Sequence, residues 1–459
     1  MKNFPIIEKS KSAIPIHALY QNQYEFWLKR QPVPAKNWLS ANHFKAAPGS
    51  WCLFPAEDGR IGGVACGIDV SPNIWSIANL ATQLPAHTYA LEGRFSAAVA
   101  TQMALGWALA GYKFTRYKKN DKALPALVAP RGCDLAYVQA MAGAINWARD
   151  LINTPANDCN PQALAAEAVA FGKAHKGKVS VIKGEALLKA DYPVVYAVGK
   201  ASSVPPHMVD ITFPRPRAPK VTLVGKGVCF DSGGLDIKST ANMKLMKKDM
   251  AGVAIMLALA KAILQAGIPV QLRLLLPIVE NAVSGNAMRP LDIVRSRKGL
   301  TVEIGNTDAE GRLILCDALA EADSEKPDLL IDCSTLTGAA RVALGTDVPA
   351  FFTPDDTLAQ QVMAHAQAEN DPLWRLPLWK PYRSHLDTQN ADISNESDSA
   401  YGGAITAALY LQEFVSKTPS WLHIDMMAWN LSSRPGRPQG GEAMAVRALY
   451  ALIKDRYGR

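Results

Sequence analysis

The sequence has no long uninterrupted apolar run that could anchor it in a membrane. Its best uncharged segment, residues 251–260, ends at Lys261 and falls well short of the roughly eighteen apolar residues that a spanning helix needs. The first eleven residues carry charges and no long apolar segment follows them, which is atypical of a secretory signal. We therefore expect a cytoplasmic protein without a membrane partner.

Cysteine and histidine also do not cluster as a disulfide framework or a zinc site would require. The seven cysteines are odd in number, lie far apart and form no Cys-x-x-Cys pair, which fits neither a disulfide framework nor a thiolate zinc site. We interpret them as reduced. None of the eight histidines falls in the two loops described below, so a zinc site built on histidine is unsupported there.

The composition excludes disordered and fibrous chains, because 49% of the 459 residues are hydrophobic and 20% are charged. This length predicts two domains or one large domain. The net charge of +8 is unevenly placed: residues 1–133 hold 15 basic and 7 acidic side chains, whereas residues 134–459 hold 34 of each kind. A basic first third leaves nucleic-acid binding open.

The densest basic patch of the first third combines cationic and aromatic side chains, as nucleic-acid interfaces do. No recognisable nucleic-acid motif accompanies it, so a solvated connector after a helix is the simpler interpretation. The patch consists of Lys113, Arg116, Lys118, Lys119 and Lys122, with Tyr112, Phe114 and Tyr117 interleaved.

Short β-branched runs alternate with longer segments of helical period in the C-terminal two thirds. The predicted strands are 179–182, 193–198, 221–225, 270–279, 329–333 and 422–426, and the predicted helices are 162–174, 250–266, 312–323, 357–368, 403–415 and 441–454. This alternation predicts an α/β protein whose C-terminal domain has a mixed central sheet flanked by helices. We place a smaller, basic N-terminal α/β domain at residues 1–133, a linking helix at 134–153 and the C-terminal domain at 154–459.

Two glycine-containing loops concentrate acidic and basic side chains. One loop follows the strand predicted at 221–225, and the other precedes the helix predicted at 312–323; in such folds, active groups gather at the carboxyl ends of strands. Carboxylates that converge repel one another unless cations lie between them. Oxygen ligands suit Mn²⁺ or Mg²⁺ as well as Zn²⁺, so a site for divalent ions is predicted. The candidate acids are Asp231, Asp249, Asp308 and Glu310.

Other motifs in the same loops do not fit. Gly225-Lys226-Gly227 lacks the spacing of a phosphate loop, and Phe230 stands where a dinucleotide fingerprint needs its third glycine. Asp231-Ser232-Gly233-Gly234 matches the nucleophile segment of trypsin-like proteases, but the glycine before it is missing and the fold is not all-β. Each acid alone would be interpreted as a helix cap or a surface ion pair, yet four in two loops favour a metal centre.

These segments resemble the leucyl aminopeptidase family of two-metal exopeptidases, the M17 type. The resemblance is carried by VGKGVCFDSGGLDIK, by MKLMKKDMAG and, most specifically, by NTDAEGRL at residues 306–313; NTPANDCNP, SGNAMRP and YGGAITAAL are similar to further segments. It covers roughly residues 134–430. It implies a dimetal peptidase in the C-terminal domain, peptide substrates and a homohexamer.

The resemblance also implies roles for individual residues. The implied metal ligands are Lys226, Asp231, Asp249, Asp308 and Glu310, with Asp231 and Glu310 bridging two divalent ions, which would be Mn²⁺ or Zn²⁺ with Mg²⁺ as a further candidate. Lys238 and Arg312 are implied to be catalytic, with a bicarbonate ion held at Arg312. The residues placed at the substrate are Met246, Asn306, Thr335 and Gly338.

These residue types suit hydrolysis at a free N-terminus. Lys226 must bind a metal as the neutral amine, so the ions must displace a proton whose ordinary pKa is about 10.4. Two bound cations would supply hydroxide near neutral pH and polarise the peptide carbonyl, and Lys238 would hydrogen-bond the oxyanion. Coordination of the substrate's α-amine would confine cleavage to the first residue, so we expect an aminopeptidase.

Side-chain preference and two alternative functions stay open. Leucine-like residues are the default, but Ala251 stands where the family often has glycine, and the C-terminal run lacks the usual glycine-rich ending. A DNA-binding or regulatory protein on a peptidase scaffold is the first alternative. A two-metal phosphatase is the second, but it gives no reason for a lysine ligand.

Overall fold

The computed structural model describes residues 5–458, which form two compact units. The first unit extends to Asn146 and takes in Leu431–Gln439, and the second contains Trp147–Asn430 and the chain from Gly440 onward. Each unit is built on a β-sheet of its own. Among the described residues, no helix is both long enough and apolar enough to cross a membrane.

The first unit has a six-stranded mixed sheet in the order β1-β6-β5-β2-β4-β3. Its neighbouring strands are parallel except for β3, which pairs antiparallel with β4. The strands are β1 (Ile6–Ile7), β2 (Ile14–Tyr20), β3 (Trp51–Pro55), β4 (Ile61–Ile68), β5 (Thr88–Glu92) and β6 (Ala126–Val128). The helices are α1 (Tyr24–Leu28), α2 (Val33–Ala41), α3 (Leu80–Gln83), α4 (Ala97–Ala110) and α5 (Leu135–Asn153), the last of which continues into the second unit.

The second unit contains a nine-stranded mixed sheet and two small sheets. The strands are β7 (Lys178–Lys183), β8 (His207–Phe213), β9 (Lys220–Gly225), β10 (Gly227–Asp231), β11 (Gln271–Asn281), β12 (Ile293–Arg295), β13 (Thr301–Glu303), β14 (Leu329–Ser334), β15 (Ala350–Phe352), β16 (Trp374–Arg375), β17 (Ile393–Ser394), β18 (Trp421–Asp425), β19 (Trp429–Asn430) and β20 (Gly440–Gly441). The helices are α6 (Pro161–Ala174), α7 (Ala186–Lys189), α8 (Pro193–Gly199), α9 (Thr240–Met243), α10 (Ala251–Gln265), α11 (Glu310–Ser324), α12 (Gly338–Leu344), α13 (Asp356–Ala368), α14 (Gly403–Gln412) and α15 (Val446–Tyr457).

The large sheet confirms the predicted mixed central sheet. Its order is β16-β15-β18-β14-β9-β11-β8-β7, with β10 pairing alongside β11. The central strands β18, β14, β9 and β11 are parallel, whereas β8, β7 and β15 join antiparallel. Successive residues of β9 and β14 are buried, as expected of central strands with both faces covered, and α10 and α11 pack on them.

One predicted strand is wrong. Residues 193–198 (PVVYAV) have the β-branched composition of a strand but lie in helix α8. Pro193 occupies the first turn, where its missing N–H and fixed φ favour a helix start. The carboxylate of Asp317 accepts hydrogen bonds from Val194 N (2.8 Å) and Val195 N (3.3 Å), so a buried acid satisfies free donors of this helix end.

A contact between two glycines joins the central strands to α10. A Cβ at Gly252 would lie 2.2 Å from Cys333 O and 2.5 Å from Lys226 N, which real Cβ atoms do not approach. Because Gly252 has no side chain, the backbones can approach closely. Val253 N donates to Lys226 O (3.0 Å), and Lys226 N donates to Cys333 O (3.0 Å). A Cβ at Gly225 would likewise lie 2.7 Å from Gly252 O. The backbone of Lys226 is therefore fixed from both sides.

We expect Gly252→Ala to lower the free energy of unfolding by about 1–3 kcal/mol, because the added methyl group meets backbone atoms that cannot rotate away. Urea denaturation followed by circular dichroism measures the change. Gly285→Ala is the matched control, since a Cβ there has no neighbour within 4 Å. Equal midpoints for the two variants would show that the contact at Gly252 is looser than described.

Candidate functional site

The candidate site lies at the carboxyl ends of the central strands in the second unit. Lys226 directly follows β9, and Asp231 is the last residue of β10. Asp249 follows the 3₁₀ turn Met246–Lys248 and precedes α10, and Glu310 is the first residue of α11. Strand ends and helix starts thus direct these side chains into one region, as the position of the two loops in the sequence predicts.

The acidic side chains converge. Oxygen atoms of Asp231, Asp308 and Glu310 all lie within 4.8 Å of one another. Lys226 Nζ links this group to the fourth acid, since it lies 2.7 Å from Asp249 Oδ2 and 2.8 Å from Glu310 Oε1. The five residues expected to hold metal ions therefore occupy one place in the structure.

Neutral side chains hold the carboxylates in position. Asn281 Nδ2 donates to Asp231 Oδ1 (2.9 Å) and to Thr307 O (3.0 Å), so it joins the two loops directly. Thr307 Oγ1 also donates to Gly233 O (2.6 Å). Thr335 Oγ1 donates to Asp249 Oδ1 at 2.6 Å.

The crowding of negative charge shifts the acid–base properties of the cluster. Burial and the neighbouring Asp231 raise the pKa of the Asp308 carboxyl to about 6. The same two causes raise the pKa of the Glu310 carboxyl well above its ordinary value. Burial alone would lower the pKa of Lys226, but the carboxylates of Asp249, Glu310 and Asp231 raise it above that of a free lysine. The raised pKa values of both acids and of the lysine show that negative charge exceeds positive charge in the cluster.

The donor set fits divalent cations. Within the described chain, Asp249 Oδ2, Asp308 Oδ1 and Glu310 Oε1 are buried and accept no hydrogen bond. They approach lysine nitrogens as ion pairs without hydrogen-bond geometry. Lys226 and Lys238 offset only part of the charge of four converging carboxylates, and hard oxygen ligands suit Mn²⁺, Mg²⁺ and Zn²⁺.

Two further basic residues border the carboxylates. Lys238 Nζ lies 2.8 Å from Asp231 Oδ2 and also contacts Asp308 Oδ1. Burial opposes its charge, but these acids and Glu310 raise its pKa above the ordinary value. Arg312 lies in the first turn of α11, where its Nη1 donates to Asn395 O at 2.8 Å. Both cations therefore sit beside the cluster in defined positions.

All eleven residues singled out from the sequence line one cavity of about 530 Å³. Besides the five candidate ligands and the two basic residues, these are Met246, Asn306, Thr335 and Gly338. Asn306 is fixed at the wall because its Nδ2 donates to Glu396 Oε1 at 2.9 Å. The site is thus a single concave chamber, large enough to enclose part of a peptide.

Family profiles match both units of this chain. The profile described as the cytosol aminopeptidase family, catalytic domain, matches residues 146–450. The chain belongs to the M17 cytosol aminopeptidase family. A second profile, the M17 aminopeptidase N-terminal domain, matches residues 14–130. The resemblance inferred from the sequence motifs is therefore confirmed.

Individual members of the cytosol aminopeptidase family are similar over most of their length. A probable cytosol aminopeptidase of Streptomyces griseus is 38% identical over 77% of this chain and 74% of its own. Peptidase B of Enterobacter sp. (strain 638) is 44% identical over 67% of this chain and 74% of its own.

Solved structures that are similar to this chain have the same fold. The crystal structure of a cytosol aminopeptidase from Coxiella burnetii is 44% identical and has a TM-score of 0.95, with 99% of each chain covered. The bottromycin maturation enzyme BotP in complex with Mn is 33% identical and has a TM-score of 0.88, covering 96% of this chain and 99% of its own. A manganese complex is thus documented for a relative with this fold.

Several residues that support or line this cavity were missed in the sequence. Asn281 stands alone at the end of a strand, and Asn395, whose Oδ1 accepts from Gly305 N (2.8 Å), lies far from both loops. Lys248 and Arg341 also line the cavity. Burial lowers the pKa of Lys248 to about 8, although Asp249 opposes that shift. Only the doubled lysine beside Asp249 could have drawn attention to Lys248.

Proposed function

We propose that this member of the family is a dimetal aminopeptidase that releases single amino acids from the N-termini of peptides. The observation that supports this most strongly is the convergence of one lysine and four acids in a cavity that Lys238 and Arg312 also line. A phosphatase could use the same cations, but it would not need a lysine among the ligands. Assembly into a homohexamer and any nucleic-acid binding stay predictions.

The ligand assignment is the one that the family resemblance implies, and the proximity of these side chains supports it. Lys226, Asp231, Asp249 and Glu310 would hold one ion, and Asp231, Asp308 and Glu310 the other, so that Asp231 and Glu310 are shared. Lys226 would bind as the neutral amine and release a proton. The metal ion would then replace the positive charge that the ammonium group places between Asp249 and Glu310. Bound at these positions, two dications would supply Lewis acidity, lowering the pKa of water and polarising the scissile carbonyl.

The chain's own residues would position the substrate and stabilise developing charge. Lys238 Nζ faces the cavity beside Asp231 and can donate a hydrogen bond to the carbonyl oxygen as negative charge builds on it. Arg312 has its Nη1 fixed by Asn395 O, and its remaining N–H groups can hold a bicarbonate that accepts and returns a proton. Met246, Thr335 and Gly338 would surround the first side chain of the peptide.

Hydrolysis of leucine p-nitroanilide after incubation with Mn²⁺, Zn²⁺ or Mg²⁺ tests this function. Leucine is the reference residue because the family resemblance makes leucine-like side chains the default. We expect hydrolysis that depends on added metal, and no detectable hydrolysis of the N-acetylated analogue, since an aminopeptidase requires the free α-amine. The release of p-nitroaniline is followed by absorbance. Equal rates on the free and the acetylated substrate would contradict an aminopeptidase.

A further inference from the structure

A fully buried asparagine lies beside the loop that carries Asp308. Asn395 is 0% exposed and directly follows β17, which pairs in parallel with β13. The loop 305–309 comes shortly after β13, so the parallel pairing places the two chain segments at the same edge of the small sheet. Asn395 N donates to Glu303 O (3.0 Å), which extends the strand pairing to this residue. A residue distant in the sequence is thereby fixed next to the loop.

The side chain of Asn395 uses its full hydrogen-bonding capacity on this loop. Its Oδ1 accepts from Gly305 N (2.8 Å) and from Asn306 N (3.2 Å). Its Nδ2 donates to Asn306 O (2.8 Å) and to Ala309 O (3.3 Å). A primary amide has two N–H donors and two acceptor lone pairs, so these four bonds satisfy it completely. An aspartate of the same shape would lose both donors.

Asn306 transmits this constraint to Asp308. Both backbone polar groups of Asn306 are bonded to Asn395. The side chain of Asn306 accepts from Asp308 N through Oδ1 (2.7 Å) and donates to Glu396 Oε1 through Nδ2 (2.9 Å). The backbone position of Asp308 therefore depends on Asn395 through a single intermediate residue.

The main chain of Asn395 holds a second group of the site. Asn395 O accepts from Nη1 of Arg312, which lies in the first turn of α11 (2.8 Å). Ala309, whose carbonyl accepts from Asn395 Nδ2, immediately precedes Glu310 and the start of α11. One residue thus contacts the loop of Asp308, the residue before α11 and the Arg312 guanidinium.

We propose that Asn395 is a positioning residue that acts through Asn306 to fix Asp308 at the second metal position, in a set relation to Arg312. The inference rests on the proposed function, in which Asp308 is a ligand of the second ion alone. Removing a group that orients a metal ligand typically costs 10- to 100-fold in metal affinity. Loss of the side-chain bonds of Asn395 should therefore weaken the second ion selectively, whereas a general loss of packing would weaken both ions alike.

Isothermal titration calorimetry of the metal-free protein with Mn²⁺ tests this role in the wild type and in Asn395→Asp. The substitution keeps the shape of the side chain but replaces both N–H donors with an oxygen that faces the carbonyls of Asn306 and Ala309. We expect one ion to bind with wild-type affinity and the other roughly 10- to 100-fold more weakly. Wild-type affinity for both ions, or equal weakening of both, would overturn the proposal.

Asn286→Asp is the matched control, because it makes the same change at an exposed side chain that does not line the cavity. Its two affinities should equal those of the wild type. Thermal unfolding shows whether each variant is folded.

Asn306→Ala decides the question if Asn395→Asp does not fold. This variant removes the acceptor of Asp308 N from a side chain at the cavity wall and leaves the buried amide of Asn395 in place. The same selective weakening of one ion is expected. Unchanged binding of both ions would show that Asp308 is held independently of Asn395 and Asn306.

Hydrolysis of leucine p-nitroanilide, measured on the same preparations, separates this inference from the proposed function. If the wild type binds two ions and hydrolyses the substrate, but Asn395→Asp binds both ions equally well, the aminopeptidase stands and the role of Asn395 fails. If the wild type binds two ions but hydrolyses no aminoacyl p-nitroanilide, the proposed activity fails, and the Mn²⁺ titrations alone decide the role of Asn395. A wild type that binds fewer than two ions would refute the dimetal assignment and this inference together.

Discussion

Asp231→Ala and Glu310→Ala should each abolish the binding of both metal ions and all measurable peptidase activity. Both residues are expected to bridge the ions, and oxygens of both belong to the carboxylate group that lies within 4.8 Å. Removing a shared ligand therefore weakens both positions at once. Metal analysis of the purified variants by mass spectrometry measures the loss, with wild-type protein loaded under the same conditions as the reference.

Glu396→Gln is the matched control for this experiment. Glu396 lines the same cavity, but its Oε1 accepts from Asn306 Nδ2 and it is not part of the carboxylate group. We expect this variant to keep both ions, because glutamine still offers an oxygen to Asn306. Two ions in either the Asp231 or the Glu310 variant would refute the bridging assignment, provided that thermal unfolding shows a folded protein.

Lys238→Ala should separate metal binding from turnover. Lys238 is not among the expected ligands, so the variant should retain its ions, whereas kcat should fall roughly 100- to 1,000-fold through loss of a preorganised donor to the oxyanion. Removing the ammonium also takes away the ion pairs with Asp231 and Asp308, which leaves these carboxylates more available to cations. Metal content and steady-state rates on leucine p-nitroanilide are measured on the same preparation.

Lys244→Ala is the appropriate comparison for Lys238, since it removes an exposed lysine from the neighbouring segment. Its rate and metal content should match those of the wild type. If Lys238→Ala retained both its ions and its full rate, Lys238 would have no part in the mechanism. A loss of metal together with the loss of rate would instead make it a determinant of metal binding.

The convergence of the carboxylate cluster was predictable because its residues lie at strand ends and helix starts. Asp308 and Glu310 are only two residues apart, and Asp231 ends a strand that pairs alongside β11, so the topology of a buried sheet brings the two loops together. The parallel centre of the sheet likewise follows from its continuous apolar strands. Local composition and chain order contained this information.

The features missed in the sequence depend on distant contacts. The run at 193–198 has strand composition, and it forms α8 because Asp317, far along the chain, accepts from its first donors. Asn281 acquires its role only when Asp231 and Thr307 meet around it. Lys248 looked like an ordinary charged residue until its burial was known. Such roles arise from tertiary packing, which no local pattern encodes.

Lys226 is held through its backbone, by Cys333 O on one side and Val253 N on the other, and neither bond involves a metal ion. The glycine contact that permits these bonds belongs to the buried centre of the sheet. A chain built in this way can finish folding in a metal-poor environment and take up its ions afterwards. The metal that the protein binds would then depend on which ion was available at loading. Exchange of one metal for another would not require the sheet to open.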